Sequence, residues 1–448
     1  MCRLACVIVC LLFVVPASAQ QLSLDSCLAL ARRNNIDIKA SQLEVQKAEA
    51  VKGQVFTKYF PQVNLSSIGY RAKDPLVRFG ISDVQSEDMR ELLQALYDAA
   101  VEEGSDINDE LTMLESGLSF GASVVQPIYV GGRIRTGNRL AKLGIQASKL
   151  KSEMVERDVV EEIESAYYLV TGLQEKEGTV ASALALIDSL DHTVQSALAN
   201  GLVTRADALQ VQLKRNEMMA NKQRLTSGLR LAKRLLCQRM GVEYNDSLIF
   251  GEPKQAEALP PLVFQSTGNP DSLRPEVALL QMAVDAERLQ KRLSIGESLP
   301  QVAIVGFVNY GNLIKDDYST NLAAMFSLKI PLTAWWETSH KIKEHNIKIE
   351  QAVMQQNHLG KMMSIEEEKA YSDMVDAYML MKSDSSALDI AQENYRLANL
   401  NYSAGNTTIN DVLMAHTQLL QAQNNMTDRH TSYAVARRRL SDLRKTDR

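Results

Sequence analysis

Proline is scarce in this chain: 11 residues in 448, none between Pro127 and Pro253 and none after Pro331. A proline inside a helix removes a hydrogen bond and breaks the turn, so two proline-free stretches of this length permit very long helices. Aromatic residues make up only 6%, which favours long helices over a compact enzyme core. Positive charge is not in excess. The formal net charge is −5, which gives no basic surface of the kind nucleic-acid binding needs. Chemical motifs are missing as well. There is no nucleophile elbow, phosphate loop or zinc-ligand spacing. His192, His340, His345, His358, His416 and His430 fall in no such pattern and read as surface residues. The run Arg437-Arg438-Arg439 reads as a helix-end cluster facing the negative end of the helix dipole. No enzyme, cofactor or metal site is expected.

Long hydrophobic runs are absent too, with one exception. MCRLACVIVCLLFVVPASAQ has one early cation, Arg3, an apolar stretch, and Ala17-Ser18-Ala19. This reads as a signal peptide over 1–19, cleaved after Ala19. No second run of 18 or more apolar residues follows, so a mature chain that enters a membrane must do so by β-strands. Of the five cysteines, three leave with the signal. Cys27 and Cys237 remain, and two distant cysteines define no disulfide framework; whether they pair stays open.

What is present is a duplication. Pro127 and Pro331, Gly201 and Gly405, Asp207 and Asp411, and Leu209 and Leu413 are each 204 residues apart. The fronts of the copies match as well, FPQVNLSSIGY with LPQVAIVGFVNY, but there Pro61 and Pro300 are 239 apart. The first copy therefore carries 35 extra residues between its strands. They fall in an insert over 73–116, in which Asp83 to Glu115 holds eleven acids and one base, Arg90. DVQSEDMRELLQALYDAAVEE reads as an inserted helix.

Each copy reads helix, strand, loop, strand, very long helix, tight turn, long helix. The first repeat, 20–241, has a helix near 23–58, strands at 61–71 and 117–130, a long helix at 131–199 and a helix at 204–240. Residues 242–272 hold four prolines and read as an irregular linker. The second repeat, 273–448, has strands at 300–311 and 320–333, a long helix at 334–403 and a helix at 408–445. In the first long helix Val159, Ile163, Ala166, Val170, Leu173, Val180, Leu184, Ile187, Val194 and Leu198 keep a 3.5-residue period, with Glu177 and Asp191 on missing beats. A sustained 3.5-residue period makes a left-handed coiled coil.

Four strands per chain leave a sheet with open edges, which are aggregation-prone in water and forbidden in lipid. Three chains would supply 12 strands, an even number in the size range of outer-membrane barrels. In this reading Gln126-Pro127 marks the handover from strand to helix, because proline ends a ladder and suits a helix start. Trp335-Trp336 after the last strand suits either an interfacial anchor or packing at the strand–helix junction.

LSLDSCLALARRNN, QPIYVGGR, GLVTRADAL and AGNTTINDVLMA, taken with the duplication, resemble the TolC-type outer-membrane efflux protein family over essentially the whole mature chain. The resemblance implies a mixed α+β membrane protein. Four strands per chain would join a trimeric 12-stranded barrel, and antiparallel coiled-coil helices would form a periplasmic α-barrel. It implies a homotrimer in outer-membrane lipid that exports small molecules or protein with a periplasmic adaptor and an inner-membrane pump. It places Asp411, Asp207 and Tyr402 at a periplasmic gate, with Met414 where a second acid is usual and Thr407 where a locking arginine is usual. It places adaptor docking at the turns Gly201, Leu202, Val203 and Gly405, Asn406, Thr407. Plainer readings stand beside these: the aspartates suit helix starts and the glycines suit any tight turn. A non-transporting periplasmic coiled-coil adaptor or surface scaffold is the alternative function.

Overall fold

The computed structural model of the chain describes residues 21–71, 73, 77–102, 110–113, 116–246, 248–251, 274–312 and 318–444. The expected signal peptide at 1–19, residues 252–272 of the linker and residue 445 of the last expected helix lie outside the described residues. In chain order the elements are β1 (Gln21–Leu22), α1 (Leu24–Asn34), α2 (Ile36–Phe56), β2 (Gln62–Arg71), β3 (Val77–Gly80), α3 (Glu87–Glu102), β4 (Glu110–Met113) and β5 (Ser116–Val130). Then follow α4 (Arg133–Ala199), α5 (Arg205–Met240), β6 (Ile249–Phe250), α6 (Pro275–Glu297), β7 (Gln301–Gly311), β8 (Ser319–Lys329), α7 (Ala334–Ser403) and α8 (Ile409–Arg444). The chain divides into two compact units. One comprises Ala48–Ile145 and Val284–Gln351; the other holds the remaining segments.

The first of these units carries an antiparallel four-stranded sheet in the order β2-β5-β7-β8. Register decides its two faces, because successive side chains point to opposite sides. Leu65, Ala122, Val308 and Leu322 lie in one cross-strand row, and Gln126, Ile304 and Phe326 in another. This face is apolar and bare: Leu65 is 85% exposed, Leu322 82% and Phe326 69%. The opposite face mixes Asn64, Ser66, Ser123, Asn309 and Asn321 with Ile68, Val125, Val305, Phe307 and Met325. It is drawn close by Gly121, where a Cβ would stand 2.1 Å from Asn309 Oδ1. A sheet that leaves a largely apolar side uncovered is unlike a soluble one, which packs that side on a core.

Pro127 does not end β5. It pairs with Ala303 inside the β5–β7 ladder, at a register shift between Pro127 and Tyr129, and β5 runs on to Val130. The β2–β5 ladder stops at Val125, so the proline lies beyond the reach of β2. A proline is tolerated at such an irregularity, where a donor is dispensable. The handover to α4 is made instead by Gly131 and Gly132, both left-handed, with φ 63° and 72°. In the second copy β8 stops at Lys329, short of Pro331 and of the strand expected to 333. Trp335 donates its indole N–H to the Ser298 carbonyl at 2.9 Å while its ring stays exposed.

The expected helix at 23–58 is broken in two. Asn35 accepts from the Asp37 and Ile38 amides (2.7 and 3.1 Å) and donates to the Arg239 carbonyl at 2.8 Å. One buried asparagine thus starts α2 and ties it to the end of α5, which is the local competition that makes Asn a helix interrupter. The insert holds more than a helix: β3 and β4 pair antiparallel on either side of α3. The linker is not wholly irregular either. β6 pairs in parallel with β1, and the buried Tyr167 hydroxyl donates to the Gly251 carbonyl at 2.6 Å.

Helices α4, α5, α7 and α8 bury a seam set by the heptad. Val159, Ile163, Val170, Val180, Ile187 and Val194 are buried on α4, joined by Tyr167 and Ala183. Ala166, Leu173, Leu184 and Leu198 sit at its margins, half-buried. The off-beat Glu177 accepts from Thr226 on α5 at 2.5 Å, so a polar residue on the seam is paired across it. The arginines near the C-terminus form ion pairs between helices rather than a terminal cluster. Arg438 meets buried Glu164 at 2.9 Å and Arg439 meets Glu366 at 3.7 Å.

Candidate functional site at the helical turns

Two turns, α4–α5 and α7–α8, are built alike. Gly201 (φ 71°) closes the first; its amide donates to the Leu198 carbonyl at 3.0 Å, and the Leu202 amide to the Ala197 carbonyl at 2.9 Å. Gly405 (φ 77°) closes the second; its amide donates to the Tyr402 carbonyl and that of Asn406 to the Asn401 carbonyl, both at 2.9 Å. Both are helix terminations that satisfy the last carbonyls through a left-handed residue. A Cβ at either glycine would meet nothing within 4 Å, so the backbone conformation alone requires glycine there. Leu202 is exposed on the first turn, with Asn406 exposed and Val203 and Thr407 half-buried.

The aspartates then start the next helices. Thr204 and Asp207 form a reciprocal capping box. The Thr204 amide and hydroxyl reach Asp207 Oδ2 at 3.0 and 2.7 Å, and the Asp207 amide donates to Thr204 Oγ1 at 3.2 Å. Asp411 Oδ2 accepts from the Thr407 hydroxyl at 2.6 Å, the Thr408 hydroxyl at 2.7 Å and the Thr408 amide at 3.0 Å. These bonds hold the Asp411 carboxyl below its ordinary value, with the Thr407 hydroxyl contributing most. The helix-start reading therefore holds geometrically for both residues. For Asp411 it is compatible with a charged role, since bonds to the anion keep it ionised. Thr407 partners Asp411 within the turn, and Met414 is exposed one turn on.

Tyr402 brings the two turns together. It packs on the cluster formed by Val180, Ile187 and Val194 of α4, Ala208 and Val211 of α5, and Ile409 and Val412 of α8. Burial, then the nearby Asp207 carboxylate, raises its phenol above the ordinary value. Asp207 of the first repeat thus acts on Tyr402 of the second through its charge, while its own bonds are to Thr204, and Asp411 caps its own helix.

His416, read from sequence as a surface residue, is buried in this region. Its ring lies 5.5 Å from that of Tyr395, and its Nδ1 has no hydrogen-bond partner among the described residues. Burial, with Lys214 nearby, pushes its pKa below 6.5. The signal was available: Ile409, Val412, Leu413 and His416 share a helical face in the 3-4 pattern, so position 416 belongs to the seam. Cys27 and Cys237 are buried free thiols in one cluster, and burial first, then Cys237, pushes Cys27 up to about 12. Among the described residues no group of three or more His, Cys, Asp or Glu is placed to hold a metal ion.

A family model described as "Outer membrane efflux protein" matches residues 27–241 and 272–443, one stretch for each copy of the duplication. Solved structures similar to the chain include the outer membrane protein VceC from Vibrio cholerae, at 15% identity over 94% of this chain and 94% of that one, with a TM-score of 0.70. They also include the Campylobacter jejuni CmeC outer membrane channel, at 16% identity over 94% and 85%, with a TM-score of 0.73. The open state of the Neisseria gonorrhoeae MtrE outer membrane channel is similar at 14% identity over 94% and 88%, with a TM-score of 0.71. At such identities these likenesses carry the fold. No curated protein matches the chain significantly.

Proposed function

We propose a working assembly from one premise: the chain belongs to the outer membrane efflux protein family and is an export channel of the outer membrane, with its helical part in the periplasm. That membership sets aside the non-transporting scaffold. Three copies close their sheets into one 12-stranded barrel. The observation that carries this reading is the sheet itself, whose outer strands β2 and β8 have edges unpaired among the described residues and whose apolar face is bare. In lipid each unpaired backbone group is costly, so edge must meet edge. A row of exposed apolar side chains on α7, including Met354, Ile365, Met379, Ile390 and Leu397, supports packing against further copies.

The turns at Gly201, Leu202, Val203 and at Gly405, Asn406, Thr407 form the docking surface for a periplasmic adaptor that couples the channel to an inner-membrane pump. Asp411, with Asp207 and Tyr402 beside it, forms the periplasmic gate. In a trimer three Asp411 carboxylates converge, and a ring of carboxylates attracts cations. The cargo passes along this route, small molecules or exported protein.

Single-channel recording in planar bilayers tests the gate. The expected result is a cation-preferring conductance blocked by divalent cations from the periplasmic side, with the block weakened in Asp411→Asn. Asparagine keeps an acceptor for the threonine hydroxyls, so the cap survives while the charge is lost. Unchanged block and ion preference would overturn the gate assignment. A purified chain that never runs as a trimer in mild detergent would overturn the barrel.

A further inference from the structure

The acidic insert contains a helix whose apolar face is bare. Across the 16 residues of α3, Met89, Leu92 and Leu96 are exposed, and Leu93 and Tyr97 are half-buried beside them. At about 100° per residue these five occupy one side. Glu87, Asp88, Glu91 and Asp98 occupy the other. Among the described residues the helix packs chiefly on the single turn Ile81–Asp83. An isolated helix of this length is marginal in water and is normally held by a covered apolar face. A face left bare in this way calls for a partner.

Where the insert is rooted identifies the partner. It springs from Arg71 and Ser116, the paired ends of β2 and β5, at the end of the sheet away from Gly131 and the helices. β2 is the edge strand that the trimer would join to a neighbouring copy. Twelve strands spaced about 4.8 Å apart and tilted about 40° enclose a barrel of radius roughly 12 Å. Three such roots then stand roughly 20 Å apart on the rim. A helix of 16 residues is about 24 Å long, and packed helices approach to about 8–10 Å. Helices of this length are therefore long enough to meet across the mouth.

We propose that the apolar face of α3 is covered by the same face of α3 in the other two copies, forming a three-helix cap over the extracellular mouth of the channel. This rests on the trimeric reading above. Charge is consistent with it. Glu87, Asp88, Glu91 and Asp98 are exposed and lie off the seam, so these carboxylates do not meet inside the bundle. With eleven acids and one base between Asp83 and Glu115, an anionic lipid surface repels the insert. Tethering on one rim raises the effective concentration of the faces to the millimolar range, enough for a stripe too weak to associate freely.

Cysteine cross-linking of the full-length channel in native membranes tests the cap. Cys27 and Cys237 are buried and do not interfere. Leu96→Cys and Leu92→Cys should give covalently linked chains on mild oxidation, at least tenfold more than Glu91→Cys or Asp98→Cys on the opposite face. Leu92→Glu with Leu96→Glu should keep the trimer and admit a bulky external solute that the parent excludes. Equal cross-linking from both faces, or none in an intact trimer, overturns the cap. So does protection of Leu96→Cys by an added cationic amphipathic peptide without any link between copies, which would assign the stripe to a foreign partner. Loss of the trimer in the unmodified chain would instead overturn the reading on which the cap rests.

Discussion

Gly131 and Gly132 form a matched pair in which backbone strain and steric contact separate. Both are left-handed, φ 63° and 72°, so alanine at either position incurs about 1–2 kcal/mol of left-handed strain. Their surroundings differ. A Cβ on Gly132 meets nothing within 4 Å, whereas on Gly131 it would stand 2.2 Å from the Gly296 carbonyl oxygen and 2.9 Å from its Cα. These are backbone atoms at the end of α6, next to the start of β7, and cannot rotate aside as a side chain can. Forcing them apart adds an overpacking penalty of about 1–3 kcal/mol or more. Gly132→Ala is therefore expected to lose about 1–2 kcal/mol and Gly131→Ala about 3 kcal/mol or more. Gly296→Ala probes the contact from the other side, since its Cβ would stand 2.7 Å from the Gly131 oxygen. The assay is the denaturant midpoint of the purified channel in detergent, read by circular dichroism with slopes checked for equality. Equal losses at Gly131 and Gly132 would refute the close approach of the two strand–helix junctions.

Three further outcomes are expected. Ile187→Ala, at a fully buried seam position, should destabilise the helical part by about 2–5 kcal/mol, while Leu186→Ala, exposed beside it, should fall within about 0.5 kcal/mol; comparable effects in thermal melts would contradict the seam register. His416 has a native pKa below 6.5, so the unfolded chain binds the extra proton first and stability should fall as pH drops from about 6.5 towards the lowered native value, below which the loss is complete. His416→Gln should flatten that slope between about pH 7 and pH 5, and an unchanged slope in denaturation titrations would place the response elsewhere. Deleting residues 83–115 should leave trimers in outer-membrane fractions while abolishing the cap, because β3, α3 and β4 lie beyond the last β2–β5 pair, Arg71 with Ser116. Loss of the trimer on deletion would make the insert structural.

Much of this molecule is determined by local sequence, because its dominant signals are periodic. The heptad from Val159 to Val194 and the alternation along β5 and β7 each depend on residues close in the chain, and the 204-residue offset repeats such local patterns in the second copy. The positions of the long helices therefore follow from sequence, as do the two glycine turns, since φ above zero is a local demand. The capping role of Asp207 and Asp411 is local as well, three residues after Thr204 and Thr408. Tertiary structure decided what depends on distant partners. Pro127 stays inside a strand because β7 pairs beside it while β2 has already ended. β6 forms only because β1 and the Tyr167 hydroxyl lie next to it. Asn35 breaks a helix where the Arg239 carbonyl waits for its amide, and His416 is buried because α7 brings Tyr395 against it. Periodicity says which face a residue occupies; only the packed neighbours say whether that face meets water, another helix or a polar group that must be satisfied.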